Sequence, residues 1–296
     1  MLVDAERLHI AVQKSGRLSD LSRKLLSDAG LRIANGKNSL TARIENFPAD
    51  LMFVRDDDIP TFVADGVCEW GIVGENVLRE FALDEEEERC EVVAPLGFGH
   101  CTLKLAIPEA AEWCGAEGLA GSRVATSYPA VVADWLRAQG VEAEVVKMNG
   151  AVELAPRLGI APVVCDLVST GATLEANGLK AVETVLESEA VLIRSRKPVA
   201  GIKDGQGERF LRRISGVLGT RDAKYIMLNA PSEALPAITR LLPGAEAPTI
   251  LPLHGRPGHF AVHAVCRESV FWETLQELKG AGASAILVLP IEKMLP

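Results

Sequence analysis

Short apolar runs alternate with amphipathic segments along the first third of the chain. An apolar run followed by a segment with apolar residues every three or four positions predicts a β-strand and then an α-helix. Strands are predicted at 8–12, 51–54, 70–74 and 91–96, with helices near 18–29 and 59–66. This alternation indicates an α/β fold in which most strands pair in parallel.

The same alternation begins again near residue 102. Strands are predicted at 102–108, 123–127, 143–148 and 162–168, with helices near 130–139 and 151–158. A strand at 190–195 then predicts that the chain returns to the first series, before a loop over 196–208 and a connecting helix. The pattern therefore predicts two hinged α/β lobes: lobe I from 1–100 plus about 190–220, and lobe II from 101–189.

From Lys224 onward the elements are shorter and more regular. Their predicted order is β-α-β-β-α-β, which is the ferredoxin-like plan. A domain boundary is therefore predicted near residue 220, with a separate domain over 221–296. Small domains of this kind often bind an effector or a neighbouring subunit, which is an analogy at the level of the fold.

Composition narrows the class of protein. The 296 residues are 48% hydrophobic, which is ample for a core, and the net charge of −9 disfavours nucleic acid or an anionic membrane as the main partner. The sequence contains neither an export signal nor an apolar run of about 18 residues. Six cysteines without a C-x-x-C pair predict reduced thiols in a cytoplasmic protein, and no zinc site.

The stretch CDLVSTGATLEANG (165–178) places small hydroxyl residues and glycine between a predicted strand and a helix. The first amides of a helix lack internal partners, so Ser169, Thr170, Gly171 and Thr173 form a candidate phosphate-binding loop. Asp166 lies at the end of the strand, where it suits ribose hydroxyls or Mg²⁺. The alternative is an ordinary helix start that Thr170 or Thr173 caps.

Three further junctions follow strands of lobe I. QKSGR (13–17) is a second candidate anion loop, although its charges are also typical of a solvated surface. In RDDDIP (55–60), Asp58 is predicted to cap the next helix, which leaves Arg55 and Asp56 as candidate contacts. GEN (74–76) repeats the strand-to-helix geometry, so amides near Glu75 and Asn76 are candidates to face a cleft.

In lobe II, Tyr128 and Glu153 each allow two interpretations. Tyr128 either stacks on an adenine or packs at the entry to a helix. Glu153 either faces a ligand or is a solvated residue in the first turn of its helix. The residue pattern does not choose between these alternatives.

The segment ELAPRLGIAPVVCDLVSTGATLEANGLK (153–180) closely resembles the phosphoribosyl-binding segment of the ATP phosphoribosyltransferase family. Other segments are similar to the same family in the same order, namely IAVQKSGRLSD, VRDDDIP, GIVGENVL, ATSYP, GVL, KYIMLNAP and GASAILVLPIEKML. The resemblance covers nearly the whole chain and includes the C-terminal module. It is therefore a resemblance to the long form, which carries its own regulatory domain.

The resemblance implies a fold and a reaction. The expected fold is a two-lobed core like that of type II periplasmic binding proteins, followed by a ferredoxin-like (ACT-like) domain. The expected reaction is the Mg²⁺-dependent transfer of 5-phosphoribose from phosphoribosyl pyrophosphate to N1 of ATP, which begins histidine biosynthesis. The family also implies feedback inhibition by L-histidine, a cytoplasmic location, and dimers that associate into hexamers.

The resemblance also implies roles for individual residues. The phosphoribosyl pyrophosphate site would comprise Glu153, Asp166, Ser169, Thr170, Gly171, Ala172 and Thr173. The ATP site would comprise Lys14, Ser15, Gly16, Arg17, Arg55, Glu75, Asn76 and Tyr128. No single acid or base is assigned, and Mg²⁺ would be held through the substrate phosphates by protein ligands that remain unassigned.

Departures from the family pattern are few. His100 replaces an arginine or small polar residue, and Ala151 replaces a frequent serine. Two rival classes are a closing two-lobe module that binds a solute without chemistry, and an inactive regulatory homologue. The intact loop with Asp166 and Glu153 disfavours the second rival, and substrate turnover would separate either from an enzyme.

Overall fold

The computed structural model describes residues 6–34, 40–84, 89–168, 171–197, 202–242 and 247–294. By its internal contacts the chain divides into two units, namely Met1–Ser27 with Leu31–Gly207, and Asp28–Gly30 with Glu208–Pro296. The sequence pattern predicts a boundary near residue 220 instead. No helix within the described ranges is long and apolar enough to cross a membrane.

The first unit contains eleven described strands and five described helices before the helix that continues past Gly207. The strands are β1 (Leu8–Gln13), β2 (Thr41–Arg43), β3 (Ala49–Val54), β4 (Trp70–Gly74), β5 (Cys90–Pro95), β6 (Cys101–Pro108), β7 (Arg123–Thr126), β8 (Glu144–Lys147), β9 (Val163–Val168), β10 (Leu179–Ser188) and β11 (Ala190–Ser195). The helices are α1 (Arg17–Asp28), α2 (Ile59–Ala64), α3 (Glu75–Asp84), α4 (Pro129–Ala138), α5 (Ala172–Ala176) and the continuing helix α6 (Ile202–Leu218).

These strands form two sheets. The sheet of lobe I has the order β2-β3-β1-β4-β11-β5, and that of lobe II has the order β10-β6-β9-β7-β8. In each sheet, one strand that has crossed from the other lobe runs antiparallel to its neighbours: β11 in lobe I and β6 in lobe II. Apart from the additional edge strand β2, the two lobes therefore repeat one topology.

Apolar side chains from helices and strands fill each lobe. In lobe I, Ile59 and Val63 of α2 lie against β4, and a Cβ on Gly71 would come within 2.9 Å of both side chains. Glycine thus permits the close approach of helix and strand at this position. In lobe II, Val131 and Leu136 of α4 pack in a buried cluster with Leu105 of β6.

The structure confirms most of the predicted elements and corrects two. The predicted helix over 151–158 is wrong, because only a 3-10 turn at Val152–Leu154 forms there. The predicted loop over 196–208 is also wrong in its second half, because α6 begins at Ile202. Strand β10 was not predicted. This strand lies at the edge of its sheet, and its sequence mixes polar with apolar residues. It therefore lacks the continuous apolar run that is typical of buried strands.

The second unit is a four-stranded antiparallel sheet with two helices. Its elements after α6 are β12 (Ala223–Pro231), α7 (Leu235–Leu241), β13 (Thr249–Pro252), β14 (His259–Arg267), α8 (Glu268–Gly280) and β15 (Ser284–Pro290). The strand order is β13-β14-β12-β15. The core contains Ile226, Leu228, Ile238 and Leu278. The predicted ferredoxin-like order is confirmed, and so is the fold class as a whole.

Candidate functional site

Two carboxylates approach each other in lobe II. Asp166 lies in β9, and Glu153 lies in the 3-10 turn that follows β8. Burial raises the pKa of Asp166, the amide of Leu167 (N–Oδ1 2.8 Å) opposes that rise, and the charge of Glu153 adds to it. A half-buried acid with a second acid nearby is an arrangement that a ligand rich in hydroxyl groups, or a cation, would relieve.

Lys104 is a neighbour of this pair that the sequence analysis missed. It lies directly opposite Asp166 in the antiparallel pairing of β6 with β9, so both side chains belong to one face of the sheet. The only available signal was a single polar residue inside the apolar run of residues 102–108.

The turn after β9 is only partly described. Ser169 and Thr170 lie outside the described residues, so their predicted roles rest on the sequence. Gly171 follows with φ +81°, a backbone conformation that glycine adopts without strain, and occupies the N-cap position of α5 without any side-chain cap. Ala172 and Thr173 are exposed, and the predicted alternative of a cap by Thr173 does not form.

Backbone conformation also sets the position of Glu153. Ala151 has a left-handed backbone (φ 51°, ψ 37°) and is the N-cap of the 3-10 turn that carries Glu153. A non-glycine residue in this region costs roughly 1–2 kcal/mol, a kind of strain that clusters at functional sites.

In lobe I, two candidate ATP-binding segments follow adjacent strands. Strands β1 and β3 are parallel and pair Gln13 with Val54, so Lys14 and Arg55 begin their loops at the same edge of the sheet. The amide of Lys14 donates to the carbonyl of Val54 (2.8 Å), and Gly16 has φ +96°. Residues 14–17 are exposed.

Gln13 is a further residue that the sequence analysis did not assign. Its Oε1 is buried without a hydrogen-bond partner among the described residues. A buried acceptor that remains unpaired carries a free-energy cost, which a donor from a bound ligand would remove.

The acidic turn Asp56–Asp58 is a 3-10 helix that leads into α2. Asp58 occupies the N-cap position of α2, with Pro60 in its first turn, but the predicted cap hydrogen bond from its side chain is absent. Burial, followed by the charges of Asp56 and Asp58, raises the pKa of Asp57, whereas the charges of Arg55 and then of Lys147 in lobe II oppose that rise. Lys147 is therefore near enough to this turn to act on it electrostatically.

Asn76 and Tyr128 meet across the two lobes. The Asn76 side chain is buried; its Nδ2 donates to Tyr128 Oη (2.8 Å), and its Oδ1 accepts from Ser188 Oγ (2.9 Å). Burial raises the pKa of Tyr128, whose ring packs against the apolar clusters of both lobes. The structure therefore uses both polar groups within the protein, which favours packing over adenine stacking for Tyr128.

A cavity of about 370 Å³ lies where the lobes join. Glu75 lines it from lobe I, and Thr102 and Val168 line it from lobe II, together with His100 and Glu187. Val168 is the last residue of β9, immediately before the candidate phosphate loop. Among the candidate residues that the structure describes, only Glu75 lines this cavity, and Val168 places its lobe II side directly before the candidate phosphate loop. Among the described residues, no group of three or more His, Cys, Asp and Glu side chains is placed to hold a metal ion.

Comparisons with known proteins identify the family of this chain. The family model described as ATP phosphoribosyltransferase matches residues 55–216, and the model described as HisG, C-terminal domain, matches residues 220–293. The ATP phosphoribosyltransferase of Maricaulis maris (strain MCS10) is 57% identical over 290 residues, covering 98% of this chain and 99% of the relative.

A solved structure supports the fold of the core. An ATP phosphoribosyl transferase (HisG:HisZ) complex from Thermotoga maritima superposes with a TM-score of 0.59 at 23% identity, covering 72% of this chain and 98% of that chain. The resemblance inferred from the sequence motifs is confirmed by the family models and the relative. The chain belongs to the ATP phosphoribosyltransferase family, in the long form that includes the C-terminal domain.

Proposed function

We propose that this protein transfers the 5-phosphoribosyl group of phosphoribosyl pyrophosphate to N1 of the adenine of ATP. The C1–O bond to pyrophosphate breaks, a C1–N1 bond forms, and pyrophosphate leaves with the electron pair. The proposal is carried by the lobe II site, where Asp166 and Glu153 precede the Gly171 turn in a chain of this family. It is the first step of histidine biosynthesis.

The lobe II residues have distinct proposed roles. Asp166 and Glu153 accept hydrogen bonds from the ribose hydroxyls. Ser169, Thr170, Gly171, Ala172 and Thr173 surround the 5-phosphate with hydroxyl groups and backbone amides. Hydroxyl donors stabilise the charged form of a carboxylate, so ribose binding would oppose the burial, and the smaller effect of the Glu153 charge, that raise the pKa of Asp166.

The lobe I residues hold ATP. Lys14, Ser15, Gly16 and Arg17, with Arg55 from the adjacent strand end, supply cations and amides for the triphosphate. Glu75 is close enough to the cleft to contact the nucleoside. Asn76 and Tyr128 act at the border of this site rather than as direct ligands, since their polar atoms pair with each other. The reaction then depends on the positioning of two polyanions and the exclusion of water.

The residues present fit Mg²⁺ that arrives with the substrate phosphates. Mg²⁺ prefers oxygen ligands and commonly takes only one or two carboxylates from the protein, and Asp166 with Glu153 supply that donor set. When bound, the ion neutralises negative charge on the pyrophosphate leaving group. Asp166 and Glu153 hold the ribose close to that charge and orient C1 toward the cleft.

The C-terminal domain is proposed to bind L-histidine as a feedback inhibitor and to help dimers associate into hexamers in the cytoplasm. The support is the match of residues 220–293 to the C-terminal domain of the family. Analytical ultracentrifugation with and without histidine would test the association.

Turnover tests the proposal directly. A spectrophotometric assay with ATP, phosphoribosyl pyrophosphate and Mg²⁺ should show product for the native chain, none above background for Asp166→Ala/Thr173→Ala, and suppression by histidine. The control is Glu144→Ala, which alters an exposed ion pair with Arg123 inside lobe II and should retain native turnover. A folded native protein without turnover would refute the enzyme assignment and favour a closing two-lobe binding module.

A further inference from the structure

The first turn of α4 in lobe II is capped from lobe I. The cap residue Tyr128 makes no side-chain cap hydrogen bond, and Pro129 has no amide hydrogen. The amides of Ala130 and Val131 instead donate to Glu80 of α3, to Oε1 and Oε2 respectively, each at 2.9 Å. A carboxylate that accepts both amides also places negative charge at the positive end of the helix dipole.

Two other residues of α3, Asn76 and Arg79, also contact lobe II. Asn76, four residues before Glu80, bonds to Tyr128 Oη, and its side chain and amide bond to Ser188 Oγ (2.9 and 3.0 Å). Arg79 approaches Asp134 of α4 with an N–O distance of 3.6 Å. Residues three and four apart share one helix face, so one face of α3 makes all of these contacts.

Gly74, at the end of β4, leaves space for the Asn76 side chain. A Cβ on Gly74, two residues before Asn76, would clash with Asn76 Oδ1. Glycine at the end of β4 therefore allows the Asn76 side chain to turn toward lobe II. We call the contacts of Asn76, Arg79 and Glu80 with lobe II the α3–α4 clamp.

The clamp has a consequence for catalysis because, among the described strands of the first unit, the chain passes between the lobes twice, once before β6 and once between β10 and β11. Two crossings leave the mutual orientation of the lobes to noncovalent contacts. Under the proposed function each lobe holds one substrate, so that orientation sets the distance between N1 of ATP and C1 of the ribose. Misplacement of reacting groups by about 1 Å can cost about 100-fold in rate.

We propose that Glu80 is a positioning residue: by capping α4 across the lobe boundary it fixes the two substrate-bearing lobes in the orientation that transfer requires. This inference rests on the proposed function. Glu80 touches neither substrate in this role and acts through α4. Its loss should therefore lower kcat while each substrate still binds to its own lobe.

The test uses the full chain with Glu80→Ala and Glu80→Gln. For Glu80→Ala we expect kcat to fall about 10-fold, with both KM values within about twofold of native, because only the reacting geometry is lost. Glu80→Gln keeps one acceptor oxygen and should recover part of kcat. Glu144→Ala, which removes a carboxylate whose ion pair stays inside lobe II, is the matched control.

Amide hydrogen exchange without substrates supplies a readout independent of turnover. Exchange at Ala130 and Val131 should rise about 10-fold in Glu80→Ala, and less in Glu80→Gln. Unchanged exchange rates at these two amides would show that Glu80 does not cap α4. Faster exchange with native kcat, or a weaker affinity for phosphoribosyl pyrophosphate alone by calorimetry, would overturn the positioning role.

If Glu80→Ala does not fold, the same measurements on Glu80→Gln decide the question. Absence of turnover in the native chain would refute the proposed function, and the exchange rates would still test the cap.

Discussion

The two lobes share a strand order but carry different side chains at the ends of their strands. In lobe I the loops after β1 and β3 present the cations Lys14, Arg17 and Arg55 beside the acidic turn Asp56–Asp58. In lobe II the corresponding edge presents Glu153 and Asp166 before a glycine turn. The repeated topology places the ends of strands at one cleft, whereas the residues at those ends determine which ligand each lobe can bind.

The lobes also differ in how much strain they contain. Lobe II has the left-handed Ala151 and an acid whose burial raises its pKa, and α4 takes its cap from the other lobe. The candidate loop of lobe I has its positive φ at Gly16, where glycine tolerates it. Lobe I has costs of its own, in Asp57, whose pKa burial raises, and in the unpaired Gln13 Oε1, so the left-handed backbone of Ala151 is the feature that distinguishes the lobe II site.

The largest expected effect is that of Asp166→Asn. Replacing the carboxylate removes a charged acceptor for the ribose hydroxyls, which is worth about 100-fold in kcat/KM for phosphoribosyl pyrophosphate. Steady-state kinetics with each substrate varied in turn would measure it. A decrease in kcat/KM of less than about threefold would show that Asp166 does not contact the ribose. The difference proposed between the two lobes could then not rest on this residue.

Arg17→Ala should have a smaller effect, on the other substrate. Loss of one guanidinium–phosphate contact is expected to raise KM for ATP about 10-fold and to leave KM for phosphoribosyl pyrophosphate nearly native. Lys24→Ala, a change of another cationic side chain in α1 outside the candidate loop, is the control. Equal changes in both KM values would mean that the cationic loop does not bind ATP specifically.

Tyr128→Phe should affect stability more than turnover. The change leaves the buried Asn76 Nδ2 without its acceptor, which costs about 1–3 kcal/mol. A loss of that size lowers Tm by several degrees in a core of this length. Thermal unfolding would measure the shift, and Tyr225→Phe, which removes the contact of Tyr225 Oη with His263 Nδ1 in the second unit, gives the comparison with loss of another tyrosine hydroxyl. A raised KM for ATP without a change in Tm would instead favour contact between Tyr128 and the nucleotide.

The smallest expected effect concerns pH. Because the folded-state pKa of Asp166 is raised, the folded chain keeps this proton at pH values where the unfolded chain has lost it. Stability then falls as pH rises through the interval between the ordinary and the raised pKa. Asp166→Asn keeps the acceptor for the Leu167 amide and has no charge to bury, so it should be more stable than native at pH 7. The difference should vanish below the ordinary pKa, as Tm measured across pH would show. If Asp166→Asn were less stable than the native chain at pH 7, burial of the Asp166 carboxylate would not lower the stability of lobe II.

Much of this protein follows from its sequence alone. The apolar run of β4, and the mainly apolar runs of β1 and the first half of β9, indicate their strands because strands buried on both faces are rich in apolar residues. The β-α-β-β-α-β order of the last domain and the family itself are likewise readable from pattern and motif. The residues of the phosphate loop and of QKSGR could be named because each follows a predicted strand directly.

Tertiary structure alone decided the rest. Strand β10 pairs with the edge of β6, and the short turn at Glu153 is entered from Ala151 in a left-handed conformation. Asn76 and Tyr128 are 52 residues apart, and Glu80 lies 50 residues before Ala130, so no local pattern could pair them. Local periodicity indicates which residues share an element. Contacts between elements depend instead on how the folded chain brings distant segments together. The α3–α4 clamp consists of such contacts, so only the tertiary structure shows it.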